Sequence, residues 1–370
     1  MTFQIDRRYF RYFDWVGFGL LFFLSFLGVM FVYSATYRPE APYSPFFKKQ
    51  LLGMGGGLII YLIFCGMDYR KLCRWGYFMY FAVMVLLLVT MIKGHAAMGG
   101  KRWIDLFVFK VQPSELAKLF FPSFIAYYFE TERESGVYKF REFLPALGIL
   151  GVSSLLILKQ PDLGTAIILL ASGILLLWLA GMPRWFFIVS ALLGLVTAPI
   201  LWNSLKEYQK KRILVFLGYG EMRKERYQIE QAKIAIGSGG LRGKGFLKGT
   251  QNKYLFLPES RTDFIFAVVA EEWGFLGALM LLGIYIILFT RLFWRIGTIH
   301  SLFAQLLAAG LVIPLALSTI INIAMVSGLL PIVGIPLPFM SYGVSHLWTS
   351  YASLGWVNGI IMTQRYAGTC

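Results

Sequence analysis

The sequence predicts an all-α integral membrane protein of about ten transmembrane helices, with a large extracytoplasmic loop between the seventh and the eighth. Three observations predict it. Hydrophobic residues make up 58% of the 370-residue chain and charged residues only 15%, with a mean hydropathy of +0.65, which is too apolar for a soluble domain with a single core. Apolar runs of about twenty residues, the length that crosses a bilayer as helix, recur along the whole chain. One stretch of about sixty residues breaks the pattern, being basic and rich in glycine.

In chain order the expected spans are Trp15–Ala35, Gln50–Met67, Trp75–Ile92, Ser114–Phe129, Phe143–Leu158, Leu163–Ala180, Trp185–Trp202, Phe264–Phe293, Leu306–Val326 and Val344–Met362. The first is longer and more apolar than a signal-peptide core and has no small-residue cleavage site before Tyr37, so it is expected to stay as an anchor. An even number of spans puts both termini on one side. With the termini cytoplasmic, the inner loops hold Arg7, Arg8, Arg11, Arg70, Lys71, Arg74, Arg133, Lys139, Arg141, Arg184, Arg291, Arg295 and Arg365, against about eight basic residues in the short outer loops. Residues 203–262 then form the large outer loop of a single domain covering 1–370. Long loops translocate regardless of charge, so its basic residues do not oppose this topology. They account for most of the formal +16 and suit either anionic headgroups or an anionic substrate.

Several chemistries are excluded. Cys65, Cys73 and Cys370 form no CxxC pair or disulfide framework, and His95, His300 and His346 lack the spacing of a zinc site, so no protein-held metal is expected. There is no phosphate-binding loop of the nucleotide-hydrolase type and no dinucleotide fingerprint, so the energy for any reaction must arrive with the substrate.

Ionisable residues in apolar surroundings each need a reason. In PESRTDFIFAVVAEEWG, Pro258 to Gly274, Asp263 stands at the mouth of an apolar helix. An acid facing lipid is costly, so Asp263 is expected to face a watery cleft, where partial burial raises its proton affinity toward that of a usable base. Glu115 and Lys118, three apart in QPSELAK, are helix neighbours that suit an ion pair, or else Lys118 lines the cleft as a cation for phosphate. Asp162 precedes an apolar run and suits a helix cap. Glu271 and Glu272 lie two turns beyond Asp263, with at least one facing the bundle interior as a packing or hydrogen-bonding group. The glycines from Gly237 to Gly249 could bring backbone N–H groups to an anion or serve a hinge.

Six ordered strings resemble one family, the SEDS (shape, elongation, division and sporulation) proteins: GKRWIDL (100–106), QPSELAK (112–118), QPDLGTA (160–166), YQIEQAKIAIGSGGLRGKGFLKGTQ (227–251), FLPESRTDFIFAVVAEEWG (256–274) and LPIVGIPLPFMSYG (330–343). The resemblance covers nearly the whole chain. GSGGLRGKGFLKGTQ and Pro331-Ile332-Val333-Gly334 look more like the elongation branch (RodA) than the division branch (FtsW). The chain departs from the family pattern at YGVSHLW, where Val344 and His346 stand in place of a glycine and another small residue, and between Phe216 and Tyr227, where the usual acidic-proline turn is missing.

The resemblance implies a peptidoglycan glycosyltransferase that polymerises lipid II, a disaccharide-pentapeptide on undecaprenyl pyrophosphate, at the outer face of the bacterial inner membrane. It also implies a class B penicillin-binding protein partner, a transpeptidase, within the elongation machinery, and no nucleic acid. The residues fit such chemistry. Asp263 would serve as general base for the acceptor hydroxyl. The leaving pyrophosphate needs charge stabilisation, not a second acid, with Lys101, Arg102 and Arg212, and Lys118 deeper in the bundle, as candidate cations. A divalent cation, Mg or Mn, could share that load. Trp103 resembles a family position important for activity, and either stacking on a sugar or packing under the loop accounts for it. The rival functions are a transporter, such as a lipid II flippase, and a scaffold for a partner enzyme.

Overall fold

The computed structural model describes residues 9–93, 95–97, 100–106, 109–131, 140–204, 210, 214, 223–254 and 256–367. After a single 3₁₀ turn, Tyr9–Tyr12, the helices are α1 (Trp15–Thr36), α2 (Pro45–Gly66), α3 (Tyr69–Lys93), α4 (Pro113–Thr131), α5 (Phe140–Lys159), α6 (Leu163–Leu179), α7 (Arg184–Ser204), α8 (Arg223–Ser238), α9 (Thr250–Lys253), α10 (Ile265–Gly297), α11 (Leu302–Val326) and α12 (Val344–Ala367). Each of the ten expected spans coincides with one of the long helices. Six of them, α1, α2, α3, α5, α10 and α11, are long and apolar enough to cross a membrane by length and composition, and α6 is an apolar helix of 17 residues.

To the helices the structure adds a small antiparallel sheet between α3 and α4: β1 (His95–Ala97), β2 (Gly100–Leu106) and β3 (Phe109–Val111), in the order β1-β2-β3. The motif GKRWIDL is its middle strand, with Trp103 opposite His95 and Ile104 opposite Val111. Seven residues are too few to register against a background of twenty-residue apolar runs.

Polar caps start the helices where the chain turns. Asp14 accepts from Gly17 N at 3.1 Å, Ser44 from Phe47 N at 3.2 Å and Asp162 from Thr165 N at 3.3 Å, each satisfying an otherwise orphaned N–H. The helices then pack through small residues. Gly355 and Gly359 lie one turn apart on α12, and a Cβ at Gly359 would stand 2.7 Å from the Cys65 carbonyl oxygen, so α2 and α12 approach backbone to backbone. Of the six apolar helices, α11 is the most enclosed.

Helix α10 is broken at Gly274, whose φ of 69° and ψ of −166° suit glycine alone. The break strands backbone groups that lipid cannot satisfy, and the glycine-rich segment supplies their partners. Lys244 N and Gly245 N donate to the carbonyls of Glu271 and Glu272 at 3.0 and 2.9 Å, while Phe275 N and Leu276 N donate to Gly240 O and Leu241 O at 2.8 and 3.2 Å. The backbones touch so closely that a Cβ at Gly243 would overlap the Glu272 carbonyl. Gly239 to Gly249 therefore form a splint on a broken helix. This replaces both sequence readings of that segment, the anion loop and the free hinge.

At the end of the bundle where the chain enters, Asp14 takes Arg291 Nη2 at 2.7 Å and Arg295 Nη1 at 2.9 Å, tying α1 to the last turns of α10. Asn358 Oδ1 accepts from Asp14 N at 3.1 Å and adds α12.

Candidate active site

At the opposite end, residues 258–264 make a tight turn that delivers the chain into α10. Glu259 takes a left-handed φ of 54°, and its carbonyl accepts from Thr262 N at 3.1 Å and Phe264 N at 3.3 Å. Three successive carbonyls of this turn are held from outside it. Arg261 O accepts from Tyr342 N at 2.9 Å, Thr262 O from Ser341 Oγ at 2.6 Å, and Asp263 O from Asn322 Nδ2 at 2.9 Å. Asn322, fully buried on α11, also donates to Ile335 O at 2.6 Å. Ser341 is fixed in turn, its Oγ accepting from Leu337 N at 2.8 Å and its carbonyl accepting from Gln50 Nε2 of α2 at 3.2 Å. Backbone placed by so many donors is rigid, which leaves the half-buried Asp263 side chain standing on a fixed base. Its Oδ2 lies 3.5 Å from where a Cβ of Gly334 would be, and Gly334 itself has a φ of 72°.

The same loop connects Asp263 to a second polar group. A Cβ on Gly164, in the first turn of α6, would lie 2.7 Å from Val333 O and 3.4 Å from Gly334 O. The 333–335 loop thus neighbours both the first turn of α6 and the Asp263 carboxylate. Two residues before Gly164, buried Asp162 caps α6 and accepts from Gln112 Nε2 at 2.6 Å and Ser114 Oγ at 3.3 Å. Arg102 reaches over from β2. Its Nε donates to Gln160 O at 3.1 Å and its Nη2 to Pro161 O at 2.6 Å, with Nη1 3.8 Å from Asp162 Oδ1. This guanidinium is engaged by the turn between α5 and α6, which it latches to β2.

Deeper between α4, α11 and α12, Lys118 Nζ lies 2.8 Å from Glu115 Oε1. The other carboxylate oxygen of Glu115 meets His346 Nδ1 at 3.0 Å and accepts from Thr349 Oγ1 at 3.2 Å. All of these groups are buried or nearly so, and the ion pair answers the cost of carrying Glu115 and Lys118 inside an apolar bundle. His346, one of the chain's departures from the family pattern, is thus part of the charged cluster. Next to it, Ser345 Oγ accepts from Gln112 N at 3.2 Å, joining the first turn of α12 to both polar groups.

Of the other sequence candidates, Trp103 is half-buried on β2, Lys101 pairs through its backbone with Ala96 while its side chain lies outside the described residues, and Arg212 lies wholly outside them. Glu271 and Glu272 belong to the splint. Glu271 Oε1 takes Lys244 Nζ at 2.7 Å, Thr250 N at 2.8 Å and Gln251 N at 3.1 Å, and Glu272 accepts from Ser34 Oγ of α1. Among the described residues no three His, Cys, Asp or Glu side chains gather as a ligand set for a divalent cation. No step below runs through that ion.

Sequence reasoning missed Asn322, Ser341, Gln50 and Arg261. A lone Asn in the apolar run of α11 was the one available signal. The partners of these residues are up to about three hundred positions away, and no local pattern records them.

Comparison with known proteins places this geometry. A model of the FtsW/RodA/SpoVE cell cycle protein family matches residues 14–366. The peptidoglycan glycosyltransferase MrdB of Escherichia coli (strain K12) is 39% identical over 318 residues, 82% of either chain. The protein of the same name from Helicobacter pylori (strain ATCC 700392 / 26695) is 35% identical over 98% of this chain and 94% of its own, and stage V sporulation protein E of Bacillus subtilis (strain 168) is 34% identical over 92% and 94%. Among solved structures, a chain of a peptidoglycan synthase complex that coordinates polymerization and crosslinking superposes with a TM-score of 0.79 at 28% identity, covering 95% of this chain and 98% of that one. The rod shape determining protein RodA of Thermus thermophilus superposes with a TM-score of 0.70 at 27% identity, covering 95% and 97%. The fold, the motifs and the family match agree: the chain belongs to the FtsW/RodA/SpoVE family.

Proposed function

We propose that this chain is a peptidoglycan glycosyltransferase that polymerises lipid II into glycan strands at the outer face of the bacterial inner membrane, for cell elongation and shape. Relatives named peptidoglycan glycosyltransferase support the activity, and one observation carries the mechanism: the carbonyls of Arg261, Thr262 and Asp263 are each held from outside the turn, so a carboxylate stands in fixed position beside a glycine loop. Both termini face the cytoplasm, the Asp263 end faces outward, and residues 203–262 form the outer loop of the single membrane domain.

In this reading Asp263 accepts the proton of the acceptor sugar hydroxyl as its oxygen attacks the anomeric carbon of the donor. The bond from that carbon to the phosphate oxygen breaks, and undecaprenyl pyrophosphate leaves with the electron pair. The leaving group needs positive charge and no proton, so one carboxylate suffices. Lys101 and Arg212 contribute positive field from the outer segments. Arg102 and Asp162 position the loop at Gly334 from behind, and Glu115 and Lys118 of α4 with His346 of α12 form a polar floor deeper in the bundle. A transpeptidase of the penicillin-binding class is the expected partner, in keeping with the synthase complex that holds a structural neighbour.

Purified protein in detergent, given lipid II, should produce glycan strands without ATP and without a second protein. Detergent leaves no second compartment, so a flippase or a scaffold would yield no product there, and that result would overturn the assignment.

A further inference from the structure

A reaction that expels a diphosphate needs a cation free to meet it, and three of the described basic side chains are already engaged. Arg102 is spent on Gln160 O and Pro161 O, Lys118 on Glu115, and Lys244 on Glu271. Arg261 differs. It stands two residues before Asp263, it is half-buried, and its guanidinium carbon lies 4.0 Å from the centre of the Phe46 ring. Among the described residues its guanidinium has no hydrogen bond and no ion pair. Glu259, two residues before Arg261 in the turn, is engaged by Thr262 Oγ1 at 3.0 Å.

Stacking occupies the face of a guanidinium and leaves its edge, with the N–H donors, unused. The Phe46 ring is itself braced edge-on by Tyr342 at 5.3 Å, and Tyr342 N holds the Arg261 carbonyl at 2.9 Å. The donors are thus oriented before any ligand arrives, the arrangement in which a planar fork binds two phosphate oxygens best. Exposed Lys49 is three residues along α2 from Phe46, hence on the same helix face, and adds a second positive charge beside the stack.

We propose that Arg261, held on the Phe46 ring, binds the diphosphate of the lipid-linked sugar donor and stabilises it as it leaves. The proposal rests on the glycosyltransferase reading and deepens it. Arg261 and Asp263 are fastened through successive carbonyls to the same loop and to α11, which fixes the spacing between the cation and the base. In the transfer the acceptor oxygen bonds to the anomeric carbon, its proton goes to Asp263, and the electron pair of the broken carbon–oxygen bond goes to the diphosphate that Arg261 holds.

The test compares wild type, Arg261→Gln, Arg261→Lys and Phe46→Leu in detergent. Equilibrium binding of inorganic pyrophosphate is measured alongside initial polymerisation rates over a range of lipid II concentrations. Loss of a bidentate charged contact should weaken pyrophosphate binding and lower kcat/KM roughly ten- to a hundredfold in Arg261→Gln, with an intermediate loss in Arg261→Lys, which keeps the charge without the fork, and in Phe46→Leu, which keeps the Arg without its platform. Unchanged pyrophosphate binding in Arg261→Gln, with only a lower unfolding temperature, would make Arg261 a staple between the turn and α2 and overturn the proposal. So would loss of stimulation by phosphatidylglycerol with lipid II kinetics intact, which would assign the site to membrane phosphates. Should wild type make no strands at all, the glycosyltransferase reading fails, while the binding arm still decides whether Arg261 holds a diphosphate.

Discussion

At the residue scale, the site depends on placement more than on any unusual side chain. Asn322 donates from one amide to both Asp263 O and Ile335 O, so it fixes the base and the adjoining loop together. Asn322→Ala strands two carbonyls, at a cost of about 1–3 kcal/mol each, and loosens Asp263. We expect a polymerisation rate lowered by about tenfold or more, since small displacements of a reacting group are expensive. The measurement is initial rate alongside thermal unfolding. A variant that loses stability but keeps its rate would remove Asn322 from the positioning role.

Asp263 was legible in the sequence because a lone acid at the start of an apolar run demands a reason. Asp162 and the Glu115–Lys118 pair were legible for the same cause, and their neighbours in sequence explain them. Arg261 was not, because a charge beside an acid in a loop reads as ordinary solvation, and its platform lies on α2. His346 stood out in the sequence as a departure from pattern, and its meaning required Glu115, 231 positions away.

At the element scale, hydropathy located the spans but was blind to the break in α10. Glu271 and Glu272 interrupt the apolar run just before Gly274, but it resumes at once beyond, and a glycine in such a run is common in membrane helices. What marks this one is its conformation and the backbone of residues 240–245 lying against it. Gly274→Ala puts a Cβ into a region of φ and ψ that only glycine occupies comfortably, and that Cβ would stand 2.7 Å from Leu241 C and O. A cost of about 1–3 kcal/mol from the backbone alone is expected, together with release of the splint. Hydrogen exchange should then rise across 240–245 and 271–276 while α11 remains protected. Equal protection in both proteins would show that the splint does not depend on the break.

At the scale of the whole molecule, two polar nodes tie the ends of the bundle: the Asp263 turn at one end and Asp14 with Arg291 and Arg295 at the other. Asp14 lies outside the spans. Burial works to raise its pKa, but hydrogen bonds from Arg291, Gly17 N and Arg295 outweigh that and hold it below the ordinary carboxylate value. The folded-state value is depressed, so the stabilisation is complete above the unfolded pKa of about 3.9 and is lost as pH falls through that value toward the folded one. The unfolding temperature of wild type should therefore drop on acidification from roughly pH 6 to pH 3. Asp14→Asn, which leaves two arginines without a counter-charge, should be destabilised by about 3–5 kcal/mol near neutrality and respond less to acid. Parallel pH curves for the two proteins would locate the acid sensitivity elsewhere. The order of the helices followed from composition and periodicity. The nodes that close the bundle did not, because they join residues from opposite ends of the chain.

The central claim is that one carboxylate, Asp263, accepts the proton of glycosyl transfer. Its most direct test is polymerisation of lipid II by purified wild type and Asp263→Asn side by side, with the unfolding temperature of each measured in the same detergent. Asp263→Asn should unfold within a few degrees of wild type and yield no glycan strands. Strands formed at the wild-type rate by a well-folded Asp263→Asn protein would contradict the account.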